Sequence, residues 1–194
     1  ALPNKTHITI FDQWIIFKLN QVEKIVEESL EQDKFSDAAN ALYQFVWYEF
    51  CDWYIEFIKP VVNPQGEAKN ESRVSAEDRA NTQLVLAQVL NRMLRLLHPF
   101  IPFITEELYA KIPIRNKVLM LDEYPNARRD REFLAFGTEA AALEVDLVKE
   151  VLSAIRNIRG ENRISPAEKI TVRLAPHDDQ VQKILSLNRT SIEA

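Results

Sequence analysis

Residues 35–58 read FSDAANALYQFVWYEFCDWYIEFI. Phe35, Ala39, Leu42, Val46, Phe50, Trp53 and Phe57 follow the 3.6-residue period of an α-helix. Tyr43, Phe45, Trp47, Tyr48, Tyr54 and Ile55 cover much of the remaining circumference, which predicts a helix enclosed by others, the centre of a bundle. Glu49 falls inside the apolar stripe, with Asp52 and Glu56 one and two turns along. As a general acid or base Glu49 needs a pocket and a raised pKa; as a structural group it needs a cation from a neighbouring helix, for which Arg92, Arg95 and His98 are the candidates. Cys51 is the single cysteine, so no internal disulfide forms, and its aromatic surroundings predict a buried, inert thiol. The charges within 41–58, the most apolar stretch, argue against a membrane span, and the N-terminus has no signal-peptide pattern.

Working outward, Thr9 and Asp12 have capping-box spacing before Ile15, Leu19, Val22, Val26 and Leu30, an amphipathic helix of about six turns. After the helix at 35–58, Pro60 and Pro64 open a polar loop, and Ser75 with Asp78 caps a third helix running through Val85, Val89, Met93 and Leu97 to His98-Pro99. A short fourth helix is expected over Thr105 to Ile112, then an irregular connection over 113–136. A fifth helix is expected from Thr138 to Asn162. Ile170, Val172 and Leu174 alternate with Thr171 and Arg173, a strand signature whose partner is either Val118 to Leu121 or lies beyond Ala194.

The 194 residues are 46% hydrophobic and 27% charged, an ordinary globular balance. Three glycines are too few for a Gly-rich phosphate loop, and no metal-binding or nucleotide-binding motif occurs. The net charge of −5 sits entirely in residues 1–60, with five lysines, no arginine and ten acidic residues; the remainder balances 19 against 19. A uniformly basic nucleic-acid binder is excluded, but a local basic face is not. Such a face is predicted on the fifth helix, where Lys149, Arg156 and Arg163 are spaced by seven and Arg159 lies between the last two. Four cations on one face suit a phosphate backbone; the plainer alternative is a solvated, salt-bridged surface.

The strings FVWYEFCDWY (45–54), Lys59-Pro60, LHPFIPFITEELY (97–109) and IRNIRGENRISP (155–166) resemble, in order and over nearly the whole chain, the C-terminal region of valyl-tRNA synthetases, which are class I aminoacyl-tRNA synthetases. The resemblance implies a mainly α fold: an anticodon-binding helical bundle over 1–132, then a long helix and the start of a small, truncated α+β subdomain over 133–194. It implies that the chain begins after the bundle's first helix, which in the family carries a K-L-W-N-A-x-R type motif. The ATP-binding H-I-G-H and K-M-S-K-S type signatures are absent here, which implies a non-catalytic piece of a cytoplasmic ligase that charges valine tRNAs using ATP. The implied partners are tRNA and the rest of the parent synthetase, with no membrane, metal or cofactor at this piece. The candidate phosphate contacts are Lys149, Arg156, Arg159 and Arg163, then Arg92 and Arg95. The alternatives are a helical protein-docking module, marked by an exposed aromatic groove, and the same region of an isoleucyl-type ligase.

Overall fold

The computed structural model describes residues 2–63, 74–113, 118–126, 130–165, 168–176 and 178–193. The described residues are mainly α-helical and contain no β-strand. The polar loop expected after Pro64 lies outside them. Two compact units divide the chain, Ala1–Ala142 and Leu143–Ala194.

In the first unit, α1 (Ile10–Glu31) starts at the Thr9–Asp12 capping box, and the same Asp12 is its most enclosed polar group. The Asp12 carboxylate accepts from Tyr54 Oη at 2.7 Å, Thr82 Oγ1 at 3.0 Å and Thr9 Oγ1 at 2.8 Å. Burial pushes its pKa up, against the pull of these donors. Trp14, Ile15, Ile16, Leu19 and Val26 are fully buried, so α1 is the enclosed helix of this unit. It packs against α2 (Phe35–Gln44), the π-helix Phe45–Tyr54, α4 (Ala76–Leu97) and α6 (Arg131–Leu134).

The stretch 35–58 is helical as expected but changes gauge: α2, the π-helix, then α3 (Ile55–Val62). Its buried positions are Ala38, Leu42, Phe45, Phe50, Tyr54 and Ile58, and the step of five from Phe45 to Phe50 is the mark of i→i+5 bonding. That step carries Tyr54, rather than Trp53, inward to Asp12. The helix is therefore not enclosed: Phe35, Tyr43, Trp47 and Tyr48 are all about half exposed, and Tyr43 stacks on Trp47. Cys51 is exposed rather than buried, though partial desolvation raises its thiol pKa and keeps it a poor nucleophile.

The Ser75–Asp78 box caps α4, and His7 and Asn4 reach its first turns, His7 Nδ1 lying 2.8 Å from Asp78 and the Asn4 N–H donating to Asn81 Oδ1 at 2.7 Å. After α4 the chain turns at Pro99 and α5 (Pro102–Tyr109) begins with proline in its first turn, earlier than Thr105, since a first-turn proline gives up no hydrogen bond. Thr105 fixes the corner, its Oγ1 lying 2.8 Å from His98 Nδ1 and donating back toward the Ile101 and Pro102 carbonyls. The connection that follows contains a 3-10 turn, Leu119–Leu121, and α6. Gly137 then passes against the α1 backbone: a Cβ there would stand 2.4 Å from Phe17 N.

α7 (Glu139–Glu161) continues from the first unit into the second. The second unit ends in α8 (Asp179–Leu187) and α9 (Arg189–Glu193), which the residue pattern did not predict. The strand expected over Ile170 to Leu174 does not form: these residues belong to no ladder, and Val172 and Leu174 are exposed. An isolated strand has nowhere to place its backbone donors and acceptors, and of the two alternative partners, Val118 to Leu121 holds the 3-10 turn instead.

Candidate nucleic-acid interface

Arg92 and Arg95 lie one turn apart on α4, Arg92 buried and Arg95 half-buried. Arg92 is 6% exposed; its Nη1 reaches Glu23 Oε1 at 3.2 Å and Asp130 Oδ2 at 2.8 Å, and its guanidinium lies over the Phe133 ring. Burial raises Glu23 to about 7, more than the Arg92 charge lowers it. Burial also opposes ionisation of Asp130, but the shorter bond and charge of Arg92 win there and hold it below the ordinary carboxylate value. Tyr124, half-buried, is pushed up to about 12 by desolvation and by the charge of Glu23. Arg95 donates to the Glu123 carbonyl, and its Nε lies 3.9 Å from Asp122. Both arginines, expected as second-rank phosphate contacts, are thus tied to the 122–130 connection, because the steps 85, 89, 92, 96 place position 92 on the apolar face of α4.

The cations considered for Glu49 are engaged elsewhere, Arg92 by Glu23 and Asp130, Arg95 by the Asp122–Glu123 segment and His98 by Thr105. Glu49 itself is half buried on the π-helix; Asp52 and Glu56 are exposed, and Glu56 pairs with Lys59. Among the described residues the buried carboxylates are Asp12 and Glu23 instead. Glu23 was visible in outline, since 19, 23, 26 and 30 follow the helical steps of three and four.

The cations of α7 are placed differently. Arg156 is exposed. Arg159 donates to the Ser165 carbonyl at 2.5 Å and the Glu168 carbonyl at 2.9 Å, which orient its guanidinium without cancelling its charge. Lys149 is largely covered, with Asp146 at 3.8 Å. Arg163 is exposed but lies beyond the end of the helix: Ile164 N–H donates to Arg159 O at 2.9 Å and Arg163 N–H to Gly160 O at 3.1 Å, a Schellman ending with Arg163 at the left-handed position, φ 53°. Lys149, Arg156 and Arg159 therefore share α7, and Arg163 follows its terminal turn. A non-glycine residue at such a φ is strained, a condition met more often at functional positions than elsewhere. The stripe is missing one helical member because the pattern of cations does not reveal the cap.

Aromatic exposure does not separate nucleic-acid binding from protein docking here. Trp14, Phe45, Phe50, Tyr54 and Tyr109 are buried, whereas Tyr43, Trp47, Tyr48 and Phe103 are exposed. Among the described residues, no group of three or more His, Cys, Asp or Glu could hold a metal ion, and no helix is long and apolar enough to cross a membrane.

Comparison with known sequences defines the class. The family described as the anticodon-binding domain of tRNA ligase matches residues 12–174, and the chain belongs to that family. Its curated relatives are more particular. It is 62% identical over 192 residues to the valine–tRNA ligase of Bdellovibrio bacteriovorus, covering 99% of this chain and 20% of that protein. It is 35% identical over 185 residues to the valine–tRNA ligase of Enterococcus faecalis (95% and 19%) and 37% identical over 177 residues to that of Aquifex aeolicus (90% and 15%). The chain thus spans about a fifth of the length of the relatives it matches most fully.

Proposed function

We propose that this chain is the tRNA-binding part of a cytoplasmic valine-tRNA ligase, presenting α7 and the turn after it to the phosphates of a valine-tRNA anticodon stem-loop. The observation that carries the reading is the family match over 12–174, supported by the exposed Arg156 and Arg163 and by Arg159, which rests on carbonyls, where Arg92 of α4 is buried against carboxylates. Single-stranded loops are read by stacking and edge contacts while Arg and Lys hold the phosphates. Arg156, Arg159 and Arg163 are the leading phosphate contacts and Lys149 a secondary one; Arg92 and Arg95 hold the fold. Activation of valine by ATP belongs to the remainder of the enzyme, and this chain supplies no catalytic residue.

Titration of the purified chain against a panel of anticodon stem-loops tests the reading. Valine stem-loops are expected to bind tightest; preference for isoleucine stem-loops would assign the chain to a sibling ligase. The acidic α1, without arginine, is expected to face away from RNA, so crosslinks mapping mainly to residues 10–32 would refute the proposed orientation.

A further inference from the structure

The π-helix between α2 and α3 displaces the buried face of the helix by one residue, since the step from Phe45 to Phe50 is five where an α-helix takes three or four. Its first effect is on charge. Continued in α steps, the face Ala38, Leu42, Phe45 would reach Glu49 and then Asp52 and Glu56. The longer step passes Glu49 and brings Phe50, Tyr54 and Ile58 inward, so no carboxylate has to be buried on that line.

The two halves of the helix are not held alike. Downstream, Tyr54 Oη donates to Asp12 at 2.7 Å, and Phe57 stacks on Phe11 with ring centroids 4.3 Å apart. Upstream, α2 has no side-chain cap, and it follows α1 through Asp33, a non-glycine residue held at φ 56°. Traced back from Phe50 in α steps, the sequence offers a second face, Val46, Tyr43, Ala39 and Phe35. Three of these stand next to residues of the face in use: Val46 beside Phe45, Tyr43 beside Leu42, Ala39 beside Ala38. Phe35 is 59% exposed and Tyr43 53%, whereas Ala38 and Leu42 are fully enclosed. An apolar face left in water one residue away from the buried one is a competing packing of the same helix.

We propose that the π-helix is a register device: as it converts to α-helix, α2 rolls by one residue, ~100° about its axis, while α3 stays anchored at Asp12. The roll exchanges Ala38, Leu42 and Phe45 for Ala39, Tyr43 and Val46 against α1 and α4. In the π register Tyr43 stacks on Trp47 and meets Tyr48 edge-on, and all three are presented to solvent; in the α register Tyr43 is withdrawn. A ligand that touches this aromatic group therefore selects the π register. The device is independent of the valine-tRNA ligase reading.

Thiol labelling tests the roll in the folded chain. In a C51S background, which removes the exposed native thiol, A38C places a thiol on the face that the roll uncovers, and V85C, fully buried on α4, reports on global opening. A38C is expected to react with a maleimide at least ~10-fold faster than V85C under native conditions. Equal rates would overturn the proposal. Hydrogen exchange of the parent chain separates a roll from local melting: amides 39–44 keep α-helical bonds in both registers, so they are expected to be protected more strongly than amides 50–54 of the π segment. Equally weak protection across both would assign A38C labelling to fraying of α2 and overturn the roll. Deletion of Glu49 removes the extra residue and leaves both halves on their present faces in an unbroken α-helix. In that variant A38C labelling is expected to fall to the V85C rate; labelling that stayed fast in a folded deletion variant would contradict the register mechanism.

Discussion

Arg92 and Arg95 on α4 and Arg156 and Arg159 on α7 are two pairs of arginines at the same three-residue spacing, yet they stand in different surroundings. Arg92 sits among Glu23, Asp130 and Phe133 and is nearly inaccessible, so its charge is consumed in joining α1, α4 and the 122–130 connection. Arg156 is exposed and Arg159 rests on two carbonyls, which orient its guanidinium without neutralising it. Spacing places a cation on a helix face, and the carboxylates of neighbouring elements decide whether that charge is internal or offered to a ligand.

The largest expected effect breaks the internal pair. R92M strands two carboxylates, and removal of one partner of a buried network typically costs ~3–5 kcal/mol. The urea midpoint is expected to fall accordingly, while R156A is expected to stay within ~0.5 kcal/mol of the parent. Comparable destabilisation in the two variants would erase the distinction.

The second effect reads the Glu23 end of the network through pH. Glu23 is raised in the fold from 4.5 to about 7, so the native state binds the extra proton between those values. Its contribution to stability is fully present below about pH 4.5 and is lost as the pH rises through about 7, a swing of at most ~3 kcal/mol. E23Q is expected to flatten the decline in stability between pH 5 and pH 8; an unchanged decline would place its source elsewhere. Next in size, G137A puts a Cβ against the Phe17 backbone and is expected to cost ~1–3 kcal/mol in thermal unfolding.

The smallest stability effect is the most diagnostic for the interface. R163G relieves a left-handed residue that glycine adopts freely, and is expected to stabilise the second unit by ~1 kcal/mol. If Arg163 contacts phosphate, the same variant binds RNA less tightly. Gain of stability with loss of affinity would mark a strained residue kept for function; gain of stability with unchanged affinity would mark a cap and nothing more.

Much of this arrangement was legible in the residues. Thr9 with Asp12 and Ser75 with Asp78 marked two helix starts that form complete capping boxes, since capping depends on local spacing alone. The 35–58 stretch was legible as helix but not in register: with apolar residues on every side, nothing local distinguishes a step of four from a step of five, and Tyr54 is selected by Asp12, forty-two residues away in sequence. The fate of Arg92 was half legible, because its position on the apolar face was visible but Glu23 and Asp130 are brought to it only by tertiary packing. Arg163 was misplaced on the helix because a Schellman ending without glycine carries no compositional signal. The alternation at 170–174 met the local requirement for a strand, but among the described residues no second strand stands to pair with it.

The salt dependence of binding to a valine-tRNA anticodon stem-loop tests the division between the two arginine pairs most directly, comparing the parent chain with R156A/R159A and, as a folded control, R95M. Each phosphate-binding arginine removed from α7 is expected to lower affinity and flatten the log–log slope by ~0.7 to 0.9, with R95M unchanged in slope. Unchanged affinity and slope in R156A/R159A, or a flattened slope in R95M, would contradict the assignment of phosphate binding to α7.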